Sequence, residues 1–247
     1  ENMGFWLVKM DNFFYTNEEM ESLFRSKSLQ YPSEYSLDDL IIKMKELNKF
    51  TTQVEPNKSI AVVGNSGKLL DQDYSELIDS HDLVFRCNLA LTEGFEHKVG
   101  SKTDLRFIAG KSFWRDLTGQ FSGYEDNFLT NLENQSFIIK AEPLYAAIQG
   151  IIKNYNTKSN ILFLRQEKIN NFEKNANLPD ITLGLTAICT ALEWSDNVSV
   201  FGFSFFQEGW DKQHYFESIT PYHRGHDPIS EKDFVELLEK NGRLKTY

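Results

Sequence analysis

The sequence "SIAVVGNSGKLL", residues 59–70, sets an unbroken run of small and β-branched apolar residues directly against a turn made of Gly64, Asn65, Ser66 and Gly67. A strand covered on both faces reads in this continuous way, whereas a strand with one wet face alternates. Five later runs have the same character: "DLVFRCN" (82–88), "DLRFIA" (104–109), "SFIIKAE" (136–142), "NILFLR" (160–165) and "VSVFGF" (198–203). Helical patterns are expected near 68–78, 143–154, 184–195 and 230–241. Strands of this kind alternating with helices predict an α/β class: a single Rossmann-like domain, with a mostly parallel sheet and helices on both faces. Ligands of such sheets bind beyond the carboxyl ends of the strands, where the Gly64–Gly67 turn falls.

At 247 residues and 40% hydrophobic content, the chain is long enough to bury a full core. The first 58 residues, rich in Tyr, Phe, Ser, Asn and Glu, differ from the rest and form an expected accessory segment (1–58) packed on the α/β core domain (59–247). Within them "SLDDLIIKMKELNKF" predicts one helix: Ser36 caps, Asp39 follows three residues later, and Leu37, Leu40, Ile41, Met44 and Leu47 keep helical spacing. Residues 111–135 are aromatic without a period, read as an irregular excursion or a substrate loop.

A net charge of −10 excludes nucleic acid as the expected partner, because phosphate backbones are held by clustered Lys and Arg. No run approaches the roughly 20 apolar residues that cross a bilayer, and "ENMGFWLVKM" has neither the basic start nor the long apolar centre of a signal peptide. The two cysteines, Cys87 and Cys189, lie in apolar runs, so buried free thiols and a reducing cytoplasm are expected.

The glycine turn fails two familiar phosphate-binding patterns. A P-loop needs four residues between its first Gly and a Gly-Lys followed by Ser or Thr, but Gly64 and Gly67 enclose two and Leu69 follows Lys68. A dinucleotide fingerprint needs a third glycine and an acidic residue ending the next strand, where this chain has Arg86, Cys87 and Asn88. What remains is Asn65 and Ser66 on one strand end with Asn88 on the next. Two amide side chains suit a ribose and a single phosphate, and a Gly-Asn turn with a helix cap explains the same residues.

The wider stretch carries more. Residues 61–106 resemble the large sialylmotif of the animal-type sialyltransferases, in Val62-Val63-Gly64-Asn65-Ser66-Gly67, Ile78-Asp79-Ser80-His81-Asp82, Arg86-x-Asn88, Thr92-x-Gly94-Phe95-Glu96 and Val99-Gly100-x-Lys102-Thr103. Residues 181–204 resemble the small sialylmotif, with Thr182-Leu183-Gly184 at its head and Gly202-Phe203 at its close. "HYFE" (214–217) is similar to the third motif and "HDPISE" (226–231) to the very small one. "GHDPISEKDFVELLEK" is also similar to the histidine-bearing segment of a bacterial glycolipid sialyltransferase family.

The resemblance implies a variant GT-A glycosyltransferase fold and an inverting transfer of sialic acid from CMP-sialic acid to a hydroxyl of a glycan or glycolipid, without a metal or other cofactor. His226 is then the general base that takes the acceptor proton, a role that typically contributes about 10²–10⁴-fold. His214 steadies the departing phosphate. Donor contacts fall to Asn65, Ser66, Asn88, Thr182, Leu183, Gly184, Gly202, Phe203 and Tyr215.

Thr182 is expected to cap the helix that follows it, whose N-terminus favours an anion. Glu231 either orients a histidine or serves as a first-turn acid of the last helix, which Ser230 is expected to cap with Phe234, Val235, Leu237 and Leu238 inward.

Two positions depart from the families. The large and small motifs of the animal-type enzymes are joined by a disulfide; the matching residues here are Ile60 and Ser195, which favours cytoplasm over a Golgi lumen with its anchor trimmed. The bacterial family's phosphate tyrosines are replaced by Phe205, Phe206 and Trp210, leaving Tyr215 or Tyr222 to stand in. With no basic tail before Tyr247, peripheral membrane contact is expected only through segments beyond this sequence. Another CMP-ulosonic acid such as CMP-Kdo would be read by the same features, and an inactive nucleotide- or glycan-binding module is the third reading.

Overall fold

The structure is a computed structural model that describes residues 13–26, 36–48, 58–88, 90–109, 135–140, 160–205, 214–216 and 226–247. The helix expected at 143–154, the 111–134 stretch, Phe206, Trp210, Tyr222 and His223 lie outside the described residues. The described residues form seven strands: β1 (Ile60–Val63), β2 (Leu83–Cys87), β3 (Leu105–Ala109), β4 (Ser136–Lys140), β5 (Asn160–Phe163), β6 (Val198–Phe201) and β7 (Lys245–Thr246). The sheet order is β5-β4-β3-β2-β1-β6-β7, and the pairings β1–β2, β1–β6, β4–β5 and β6–β7 are parallel. This is the α/β class the sequence predicts, and all six expected strands form. The helices are α1 (Asn17–Ser26), α2 (Leu37–Leu47), α3 (Ser75–Asp79), α4 (Glu96–Val99), α5 (Gln166–Ala176), α6 (Leu183–Trp194) and α7 (Pro228–Lys240), with a 3-10 turn at Gly67–Leu70.

The chain divides into two compact units: Glu1–Val8 with Val54–Leu105 and Ile169–Tyr247, and Lys9–Gln53 with Arg106–Lys168. In the first, β1 is the centre, with Ile60, Ala61, Val62 and Val63 all fully buried between β2 and β6. Continuous apolar patterning is what such a strand requires. Helix α6 is apolar nearly all round and buries Leu185, Ala187, Ile188, Ala191 and Trp194, as a helix inside a core must. Thr186 and Thr190 are tolerated there because each hydroxyl bonds the carbonyl four residues back, Thr182 and Thr186 respectively. Ser195 ends α6, and its Oγ donates to the Lys58 carbonyl at 2.5 Å, fastening the helix end to the start of β1.

A buried cation and an acidic helix end fix the loop before β3. Arg86 on β2 is fully buried, and its guanidinium donates to the carbonyls of Val99, Gly100 and Lys102 and to Thr103 Oγ1. Burial pushes its pKa down from the ordinary value, opposed by Tyr215 and Asp79. Asp79 takes the same loop from its donor side, accepting from the amides of Ser101 and Lys102 and from Ser101 Oγ. Burial alone would raise the Asp79 pKa, but these bonds outweigh it and hold the carboxyl below its usual range. Carbonyls go to the cation and amides to the anion, so the whole loop is specified.

In the second unit α1 and α2 pair through Arg25–Asp38 and Lys45–Glu21 ion pairs. Helix α2 has the expected reciprocal cap between Ser36 and Asp39, and its Ile41 and Met44 are buried. Strands β4 and β5 pair beside Arg165, whose side chain donates to the Phe14 carbonyl and to Glu19.

Three expectations are corrected. The helix expected over 68–78 is a 3-10 turn and then α3, because Asp73 turns the chain between them by accepting from the Ser75 amide and hydroxyl. Helix α7 is capped by Asp227 rather than Ser230, with Pro228 in its first position, where the missing N–H costs nothing. Leu237, expected to face inward, is 54% exposed, and Val235 takes the buried position.

Candidate functional site

The residues singled out from the sequence gather at the carboxyl ends of β1, β2 and β6. Asn65 leaves β1 and its Nδ2 donates at 3.4 Å to the Cys87 carbonyl at the end of β2. Asn88 follows in the left-handed region at φ 49°, a conformation Asn adopts more readily than most residues. The Asn65 carbonyl accepts from the Tyr215 amide at 2.8 Å, which draws the 214–216 segment to the same turn. The Asn65 Oδ1 is buried and has no donor among the described residues, so a polar ligand group fits there better than an apolar one. Ser66 caps the 3-10 turn through its hydroxyl, and its amide donates to the Gly202 carbonyl. In that position it holds the loop shape.

The two glycine-bearing turns close on one aromatic ring. A Cβ on Gly64 would lie 2.5 Å from the Gly202 oxygen and 2.9 Å from the Phe203 ring, and a Cβ on Gly184 would lie 2.6 Å from that ring. Phe203 is therefore wedged between the turn after β1 and the first turn of α6. Gly202, at φ 66°, has Leu69 where a side chain would go. These two residues, expected as donor contacts, shape the backbone that would make them.

Thr182 caps α6 as expected, its Oγ1 accepting from the Leu185 amide at 3.1 Å. Its own hydroxyl and amide donate to Glu231, at 2.6 and 2.5 Å. Glu231 is 3% exposed in the first turn of α7. Its carboxylate thus couples the N-termini of two helices, a partner the sequence did not suggest. The first-turn amides of α6 outside these bonds belong to Leu183 and Gly184.

His226 lies directly before the Asp227 cap of α7, and its Nδ1 is 2.9 Å from the Asp180 carbonyl oxygen and 3.7 Å from Asp180 Oδ2. Asp180 was not foreseen. The local signal is "LPDIT", a Pro-Asp turn just before the Thr182 cap. His214 stacks on Phe216 with ring centroids 5.2 Å apart. Tyr215, expected among the donor contacts, is buried, its ring meets Phe95 edge-on, and its hydroxyl donates to the Leu91 carbonyl. A phenol has one proton, so in this arrangement Tyr215 braces the loop.

Cys87 and Cys189 are buried and are not joined in a disulfide. Among the described residues no group of three or more His, Cys, Asp or Glu could hold a metal ion, and no helix is long and apolar enough to cross a membrane.

One unit thus carries Asn65 and Asn88 just past the ends of β1 and β2, Thr182 and His226 at the starts of α6 and α7, and His214 in the segment hydrogen-bonded to Asn65. The chain belongs to glycosyltransferase family 29, the sialyltransferases, whose sequence profile it matches over residues 7–243. A pig CMP-N-acetylneuraminate-beta-galactosamide-alpha-2,3-sialyltransferase 1 is 33% identical over 202 residues, 76% of this chain and 57% of the relative. An Arabidopsis thaliana beta-1,6-galactosyltransferase is 30% identical over 211 residues, 75% of this chain and 52% of the relative. The chain thus spans little more than half the length of these relatives. A solved mammalian sialyltransferase in complex with Gal-beta-1-3GalNAc-ortho-nitrophenol shares the fold, with a TM-score of 0.64 over 96% of this chain and 90% of that one at 22% identity.

Proposed function

We propose that the chain transfers sialic acid from CMP-sialic acid to a hydroxyl of a glycan or glycolipid acceptor with inversion, His226 acting as general base. The observation that carries this reading is the meeting of all four motif segments in one unit, through the Asn65–Cys87, Asn65–Tyr215 and Thr182–Glu231 hydrogen bonds and the Phe203 wedge. His226 takes the acceptor proton as the new C–O bond forms at the anomeric carbon. The old C–O bond breaks with its electron pair on the CMP phosphate. His214 and the amides of Leu183 and Gly184 stabilise the charge that develops there. Asn65, Ser66 and Asn88 hold the nucleotide, whose hydroxyls suit the buried Asn65 Oδ1. The reaction needs no metal, and two buried cysteines outside any disulfide fit a reducing cytoplasm.

A second reading, transfer of galactose from a nucleotide donor, is favoured by the plant relative's name. The test is release of CMP from CMP-sialic acid with galactoside acceptors, beside CMP-Kdo and a nucleotide-galactose. Turnover is expected with CMP-sialic acid, unchanged by EDTA. It should fall by about 10²–10⁴-fold in His226→Ala while CMP affinity is kept. Unchanged turnover in His226→Ala would remove the base, and turnover with CMP-Kdo or the galactose donor alone would remove the sialic acid.

A further inference from the structure

Asp180 and His226 meet through a bond that constrains the chemistry of the ring. A carbonyl oxygen has no hydrogen, so in the 2.9 Å contact Nδ1 donates to the Asp180 carbonyl. Neutral imidazole has one N–H, and with that hydrogen on Nδ1 the lone pair sits on Nε2. The direction of the carbonyl is itself specified: Asp180 has φ 51°, in the left-handed region that Asp, Asn and Gly enter readily and β-branched residues do not. The second tie between the same two segments, Glu231 to Thr182, keeps them from sliding.

We propose that Asp180 is a positioning residue: its left-handed backbone aims a carbonyl at His226 Nδ1, fixes the Nδ1–H tautomer and so leaves Nε2 as the proton-accepting atom. The inference rests on the reading of His226 as the base, but the tautomer is measurable whether or not that reading holds. The charged side chains on the two segments that meet here are Asp180, Asp227 and Glu231. Asp227 is engaged by Ser230 and Glu231 by Thr182, and the Asp180 carboxylate stands 3.7 Å from the nitrogen that already bears a hydrogen. That carboxylate is 69% exposed and screened by solvent, so the backbone carbonyl and not the side-chain charge sets the ring.

The test is nitrogen-15 NMR of histidine-labelled protein above the pH at which the ring is neutral, with the His226 signals assigned by their loss in His226→Gln. The parent is expected to show His226 as the Nδ1–H tautomer. Asp180→Gly and Asp180→Asn, which keep the left-handed backbone, should keep the tautomer and keep kcat within about 3-fold. Asp180→Val should release the ring to a mixture of tautomers and lower kcat on the order of 10²-fold, with CMP affinity within about 3-fold, as expected when a reacting group is misplaced in a folded site. An Nε2–H tautomer in the parent overturns the proposal, and so does Asp180→Val with tautomer and kcat unchanged. The parent spectrum decides the point even if the valine variant does not fold. Retained transfer in His226→Ala alongside an Nδ1–H parent would instead refute the base and leave the positioning intact.

Discussion

Replacing Glu231 tests how the two helix N-termini are joined. The carboxylate is 3% exposed and receives the amide and hydroxyl of Thr182 at 2.5 and 2.6 Å. Hydrogen bonds to a charged acceptor contribute roughly 1.5–3 kcal/mol each, and their loss in a buried place leaves both donors unsatisfied. Glu231→Ala should therefore cost about 3–5 kcal/mol, the range found when one partner of a buried charged contact is removed. In a chain of 247 residues, at roughly 2–4 °C per kcal/mol, the melting temperature falls by about 6–20 °C. Glu231→Gln retains one acceptor and should lose about half as much. Thermal unfolding followed by circular dichroism reads both. A cycle with Thr182→Val should reveal a coupling of about 1–3 kcal/mol, because the two side chains share one bond. A Glu231→Ala protein melting within about 2 °C of the parent, or strictly additive double variants, would refute the reasoning.

Two further outcomes follow from contacts of different stiffness. Gly64→Ala drives a Cβ against the backbone oxygen of Gly202 and should destabilise by about 3 kcal/mol, whereas Gly184→Ala meets only the Phe203 ring, which can shift, and should cost about 1 kcal/mol; urea unfolding ranks them. Asp79 has a folded pKa below its unfolded value, so its contribution is present above about pH 4 and disappears as pH falls through the lowered folded value. Acid unfolding of Asp79→Asn should accordingly show a shallower loss of stability below about pH 4 than the parent, and identical slopes would count against the loop clamp.

The sheet was legible because its strands are buried on both faces, and burial writes itself into continuous apolar runs such as Ile60–Val63. Helix α1 was also written in the sequence, as a Thr16-x-x-Glu19 capping box that the structure shows closed in both directions, but it passed unnoticed among aromatic residues. Helix α5 left little trace, since of its eleven residues only Ile169 and Phe172 are buried and, Ala176 aside, the rest are polar. At the site, His226, His214, Thr182 and Asn65 could be picked out as residue types with chemical uses. Their partners could not: Glu231 reaches Thr182 across 49 positions and Asp180 reaches His226 across 46, and the second contact is made by a backbone carbonyl that has no residue identity at all. Side-chain chemistry is visible in a string of letters, while what aims it depends on chain directions set only by the fold.

The Ser195 hydroxyl, donated to the Lys58 carbonyl, stands where the resemblance implies one half of a disulfide. A covalent bridge makes the strength of a junction a function of electron supply: it exists only where an oxidant has made it and no thiol has undone it. Here the junction needs neither enzyme nor oxidant to assemble; it forms when the end of α6 docks beside the start of β1. Both cysteines are buried and neither is in a disulfide, so neither contributes a reducible crosslink. The protein's melting curve should be the same with and without dithiothreitol, and its folding should be indifferent to the redox state of whatever compartment makes it.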